Sequence, residues 1–148
     1  MLDLARDRTL YLDTNILIYA FEPGHSGATS FRSIFEMIDA GATKALTSEL
    51  TLAEVLALPL RQGAQDMVDR YELLLSPESP IGTIPIDRTI LRGAALLRAN
   101  RALKLADALH VATALQHGCD YFFTEDQRLG DLLPEGVPRL SLAMLENA

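Results

Sequence analysis

The chain has one cysteine, Cys119, so it closes no intramolecular disulfide and builds no cysteine-based zinc cluster. No apolar run comes near the ~20 residues a membrane-spanning helix needs. The first residues, MLDLARDR, carry acidic side chains and lack the apolar centre of a signal peptide, so a cytoplasmic location is expected. Positive charge is scarce: 13 Lys and Arg stand against 20 Asp and Glu, a net charge of −7. That excludes a general basic coat for nucleic acid. It leaves open an acidic site that meets phosphate through cations, and it favours a partner with a basic segment. Gly-rich phosphate loops, a serine elbow, HExxH and a basic-aromatic stripe are all missing, which argues against nucleotide-dependent enzymes, elbow hydrolases, zinc proteases and single-strand platforms.

What is present fits one domain over residues 1–148, with 49% hydrophobic residues to build a core. A strand is expected from Thr9 to Asp13, running into a helix from Asn15 to Phe21. Pro23, Gly24, Ser26 and Gly27 mark a loop. Phe31, Ile34, Phe35 and Ile38 recur at helical spacing over 30–40, and Gly41 ends that helix. Then follow a strand over 44–48, a helix from Glu49 stopping near Pro59, a helix over 62–75 and a strand over 82–86. Asp87 caps a helix to Asn100. Further on come a helix over 103–117, a strand over 120–124, a short helix over 127–132 and a marginal strand over 138–142. This rhythm implies an α/β class, a three-layer α/β/α sandwich around a mostly parallel sheet of four to five strands. In such sheets ligands bind beyond the carboxyl ends of the strands.

That edge collects acids that sit in apolar surroundings. Asp13 follows Leu10, Tyr11 and Leu12; Glu54 lies in LTLAEVLAL; Asp107 lies in LKLADALHVATAL; Asp126 follows the Phe-Phe-Thr strand end. A buried carboxylate costs several kcal/mol unless compensated. Asp13 alone is either a helix cap or a cation ligand. Gathered together, acidic oxygens repel one another unless a hard divalent cation neutralises them. Oxygen donors favour Mg²⁺ or Mn²⁺ over zinc.

The same residues, in the same order, resemble the PIN-domain family, and within it the VapC-type toxin ribonucleases. LDTNILIYA is similar to the family's opening motif, SELTLAEVL to its second, LADALHVATAL to its third and FFTEDQRL to its Thr-X-Asp motif. The resemblance spans roughly residues 9–142. It implies Mg²⁺- or Mn²⁺-dependent endonucleolytic hydrolysis of RNA by the toxin of a type II toxin–antitoxin pair. Asp13, Glu54, Asp107 and Asp126 would be catalytic and metal-holding, with Asp13 and Asp107 direct ligands, Asp126 next, and Glu54 acting through water. Thr14, Asn15 and Thr124 would orient ligands or water, Thr14 and Asn15 also capping their helix. Glu125 departs from the pattern and adds negative charge.

Arg88, Arg92, Arg98, Arg101 and Lys104 concentrate positive charge ahead of Asp107, and Arg128 follows Asp126. They are either a solvated face or phosphate contacts for RNA, with Arg98, Arg101, Lys104 and Arg128 the candidates. His110 and His117 read as structural histidines. Glu49 reads as a first-turn helix acid. The implied antitoxin would press a basic side chain into the acidic pocket, and the helices over 30–40 and 62–75 offer it a groove, or a face for a homodimer. Two other readings stand beside this one. One is a non-catalytic module keeping the pocket to hold a partner, against which all four acidic positions speak. The other is a haloacid-dehalogenase-like phosphatase, weakened because Asn15 stands where a second aspartate belongs.

Overall fold

The computed structural model describes residues 3–25 and 27–147; Ser26, in the expected loop, lies outside them, as do residues 1, 2 and 148. The chain runs β1 (Thr9–Leu12), α1 (Thr14–Phe21), α2 (Ala28–Asp39), β2 (Lys44–Ser48), α3 (Glu49–Gln62) and α4 (Gln65–Leu74). It continues through β3 (Ile81–Ile84), α5 (Arg88–Asn100), α6 (Leu105–Gln116), β4 (Tyr121–Phe123), α7 (Gln127–Asp131), β5 (Arg139–Leu140) and α8 (Leu142–Asn147). All five strands join one sheet in the order β3-β2-β1-β4-β5, and every pairing is parallel.

β1 is central, with Tyr11 level with Leu46 of β2 and Phe122 of β4. Its alternation divides the core. Leu10 and Leu12 pack with Ile16, Leu17, Ile34, Val55 and Tyr71 on one face. Tyr11 packs with Ile90, Ala94, Leu109, Val111 and Phe122 on the other. A strand buried on both faces must be apolar throughout, as TLYL is from its second residue on. Burying side chains of this size contributes about 1.5–3 kcal/mol each. The order also reverses at β1, whose sequence-adjacent partner β2 lies on one side and β4 on the other. A crevice beyond the strand ends forms at such a point.

Three expectations change. α3 does not stop at Pro59 but runs through it to Gln62. The stop is Gly63, at φ +66°, where Gly63 N–H donates to Leu60 O and Ala64 N–H to Pro59 O. This is a Schellman ending, and it satisfies the Pro59 and Leu60 carbonyls that the helix end would leave open. The helix over 103–117 begins only at Leu105, because Leu103 is held in a turn, its N–H on Arg101 O and its carbonyl accepting from Arg98 Nε. Finally, the apolar stripe of α2, Phe31, Ile34, Phe35 and Ile38, is buried in the chain's own core, so it offers no face to a partner.

Gly63→Ala is expected to cost about 1 kcal/mol of stability, the penalty for an L side chain in the left-handed region. Urea unfolding measures it; an unchanged midpoint would remove Gly63 as the stop.

Candidate active site

β1 ends at Leu12 and delivers Asp13 to the carboxyl edge, where its side chain is 7% exposed. Oδ1 accepts from Thr14 N–H at 2.9 Å. Oδ2 accepts from the Thr124 hydroxyl at 2.7 Å and from Asn15 Nδ2 at 3.3 Å. Asp13 is therefore the cap of α1. Thr14 and Asn15 do not share that task, contrary to expectation: they already lie within the helix, and their side chains reach across to other elements. None of Asp13's partners is a cation. Burial pushes its carboxyl up, the bonds from Thr124 and Thr14 and the His110 charge offset this in part, and Asp107 adds repulsion; the net direction is up.

α3 carries Thr51 and Glu54 one turn apart. Thr14 Oγ1 donates to Glu54 Oε1 at 2.9 Å, and His110 Nε2 meets the same oxygen at 2.5 Å. Burial alone would raise the Glu54 carboxyl, but these bonds and the His110 charge outweigh it, and the net direction is down. Thr47, at the end of β2, donates to Leu12 O, and the Thr51 hydroxyl lies 2.7 Å from Thr47 Oγ1, tying α3 to the end of β1.

Asp107 sits in the first turn of α6, where the helix dipole favours a carboxylate. Its Oδ2 lies 3.5 Å from Arg128 Nη2, a guanidinium 54% exposed. Thr124 follows β4; its hydroxyl also accepts from Asp126 N–H at 3.0 Å and Asn15 Nδ2 at 3.3 Å. Asp126 caps α7, Oδ1 accepting from Leu129 N–H at 3.1 Å. Glu125 turns away: its Oε1 accepts from Leu142 N–H at 2.6 Å at the start of α8, so the extra charge feared from the sequence is spent on a helix end. Arg98 is committed to the Leu103 carbonyl, while Arg101 and Lys104 stand in the loop before α6.

His110 was expected to be structural, and the core does enclose it. Its Nδ1, though, meets Tyr11 OH at 2.5 Å and its Nε2 meets Glu54, so it belongs to the acidic centre. The signal was the spacing: Asp107 and His110, like Thr51 and Glu54, stand three apart on one helix face. His117 is exposed at the end of α6.

Sequence comparison places these residues in a known frame. The PIN domain model matches residues 10–132. The chain belongs to the PIN domain family. Among solved structures, this PIN domain matches a toxin–antitoxin complex from Klebsiella pneumoniae with TM-score 0.61 at 25% identity, over 80% of this chain and 88% of that one. It matches VapBC2 from Rickettsia felis, bound to a promoter DNA fragment, with TM-score 0.69 at 16% identity, over 90% and 98%. It also matches VapC20 from Mycobacterium tuberculosis, a sarcin–ricin loop cleaving toxin, with TM-score 0.63 at 16% identity, over 79% and 91%. At 16% the likeness is one of fold. No curated protein matches in sequence.

The donor set fits a hard divalent ion. Asn15 Oδ1 is the one buried side-chain polar atom among the described residues without a partner, and its amide orientation is fixed because Nδ2 must face the Asp13 carboxylate. Among the described residues no three Asp, Glu, His or Cys side chains close a coordination sphere by themselves. Asp13 and Asp107 would hold the ion, with Asp126 and Glu54 beside it.

Because folding raises Asp13's pKa, its contribution to stability is present at low pH and is lost as pH rises through the folded value. Asp13→Asn removes that charge and keeps the shape. Without divalent ions the variant should melt above wild type at pH 7, with the gap closing as pH falls through the carboxylate range. Calorimetry across that range checks it, and a variant that melts lower at pH 7 contradicts it.

Proposed function

We propose that this PIN domain, acting as one unit over residues 1–148, is a Mg²⁺- or Mn²⁺-dependent endoribonuclease and the toxin of a cytoplasmic type II toxin–antitoxin pair. The observation that carries the proposal is Asp13: a carboxylate 7% exposed at the carboxyl edge of the sheet, hydrogen-bonded yet without a cation, facing the repulsion of Asp107. The solved neighbours support it, since they include a toxin–antitoxin complex and a toxin that cleaves the sarcin–ricin loop.

A bound Mg²⁺ or Mn²⁺ supplies Lewis acidity and an acidified water for attack on a phosphodiester. The chain's own residues do the rest. Asp13 and Asp107 supply the negative oxygens, and Asp126 keeps Oδ2 while Oδ1 caps α7. Thr124 holds Asp13 and the backbone of Asp126 in one register through a single hydroxyl. Arg128, beside Asp107, would meet substrate phosphates by leaving it, with Lys104 and Arg101 as further phosphate contacts; Arg98, tied to Leu103, would contribute less.

The antitoxin reading keeps α4 and loses α2. A groove of about 390 Å³ opens beside α4, walled by Phe21, Met67, Tyr71 and Leu74. Leu73 nearby is largely exposed. An apolar helix of the antitoxin fits that groove while a basic side chain reaches the acids; a second copy of the chain is the other candidate for the same apolar surface.

Asp13→Asn and Asp107→Asn should each reduce RNA cleavage to the level seen in EDTA while circular dichroism stays that of wild type. Cleavage retained by either variant with Mn²⁺ present removes that residue from the assignment. Phosphomonoester turnover without RNA cleavage would favour a phosphatase instead.

A further inference from the structure

Glu54 is the least buried of the residues that meet at the centre, with a side chain about a third exposed (34%). A free glutamate in that position would sample several rotamers and offer either oxygen. Here it is held from two directions. Thr14, in the first turn of α1, and His110, in the middle of α6, both reach Oε1, at 2.9 Å and 2.5 Å. The two contacts converge on one oxygen, and among the described residues Oε2 takes no hydrogen bond.

Behind His110 stands Tyr11. Its ring is fully buried, stacked on Phe122 with centroids 5.0 Å apart and edge-on to His110 at 5.8 Å. Its hydroxyl lies 2.5 Å from His110 Nδ1. We propose that Tyr11 and His110 are positioning residues for Glu54, a buried donor chain that locks Oε1 and leaves Oε2 as the single oxygen offered to the pocket. This rests on the metal-dependent nuclease reading and deepens it, because it specifies how Glu54 takes part.

The carboxylate fixes the direction of the chain at its Glu54 end. The Tyr11 hydroxyl, buried against the ring, meets Nδ1 and holds the ring's orientation. A carboxylate oxygen can only accept, so Nε2 donates to Glu54 Oε1 while Nδ1 faces the Tyr11 hydroxyl. A glutamate bonded in this way cannot bind an ion through both oxygens without breaking a charge-assisted hydrogen bond. It offers one oxygen, to an ion or to an ion's water. Histidine is suited to the task because one ring nitrogen meets Tyr11 on β1 while the other donates to Glu54 on α3.

A histidine that merely fills the core predicts something else. Its replacement would lower stability and leave the cation affinity of the folded protein unchanged. The experiment therefore reads Mn²⁺ binding to EDTA-stripped protein by electron paramagnetic resonance, alongside kcat and KM for RNA cleavage and the melting temperature. It compares wild type with His110→Leu, His110→Gln and Tyr11→Phe. Loss of a group that orients a ligand typically weakens metal affinity about 10–100-fold. His110→Leu should fall in that range, with kcat reduced more than KM is raised. His110→Gln, whose amide can reach the Nε2 position, should recover to within a few-fold of wild type. Tyr11→Phe should show a smaller loss in the same direction.

Wild-type Mn²⁺ affinity in folded His110→Leu overturns the proposal, as does equal loss in the Leu and Gln variants. If His110→Leu does not fold, Tyr11→Phe decides: unchanged Mn²⁺ affinity there overturns it, and the expected loss supports it. A wild-type protein that binds Mn²⁺ and cuts RNA while all variants match it sinks this assignment alone. A wild type that binds no Mn²⁺ sinks the nuclease reading as well.

Discussion

The structure turns on one carboxylate that the fold buries with no cation among its hydrogen-bond partners. Asp13 leaves the central strand of a parallel sheet and accepts hydrogen bonds from Thr14, Asn15 and Thr124, all of them neutral donors. Hydrogen bonds at this level lower the cost of a buried anion but do not cancel it. The remaining cost stands whenever the carboxylate is ionised, and the proposed cation would relieve it. An acidic protein spends stability there, and the surrounding elements are arranged to keep that point in place.

The arrangement follows from topology. With β1 in the middle and the strand order reversing at it, β1, β2 and β4 all end at the same edge. Each strand end hands a polar residue to the site: Asp13 after β1, Thr47 and Ser48 at the close of β2, and Thr124 after β4. The helices that follow bring Thr14, Glu54 and Asp126, and α6 crosses from the other face with Asp107 and His110. Hydroxyls do the joining. Thr14, Thr47, Thr51 and Thr124 each bridge two elements, and the hydroxyl on Asp13 holds it without neutralising its charge.

Much of this could be read from residue order. The strands stood out because short segments such as TLYL and YFF are largely apolar and set between helical periodicities, and Asp13, Glu54 and Asp107 stood out because each interrupted an apolar run. Other features were hidden for physical reasons. Pro59 suggests a stop by its missing donor, yet that loss leaves a single carbonyl four residues back without its helical partner, and the helix runs on to its ending at Gly63. The short α8 carries too few residues for a period to show, so its cap, Glu125, looked like surplus charge at the site. Arg98 looked available for phosphate because nothing local reveals the carbonyl it serves. His110 looked like a core histidine because both its partners are remote, Tyr11 by 99 positions and Glu54 by 56. Local pattern reports burial well; it does not report which buried groups meet.

The central claim is that the edge around Asp13 is a divalent-cation site. The most direct measurement is anomalous scattering from crystals of the protein soaked with Mn²⁺. The account predicts a peak within ligand distance of an Asp13 oxygen, with Asp107 as a second protein ligand and Arg128 withdrawn from it. Full occupancy elsewhere, with Asp13 still bound only to Thr14, Asn15 and Thr124, would contradict it.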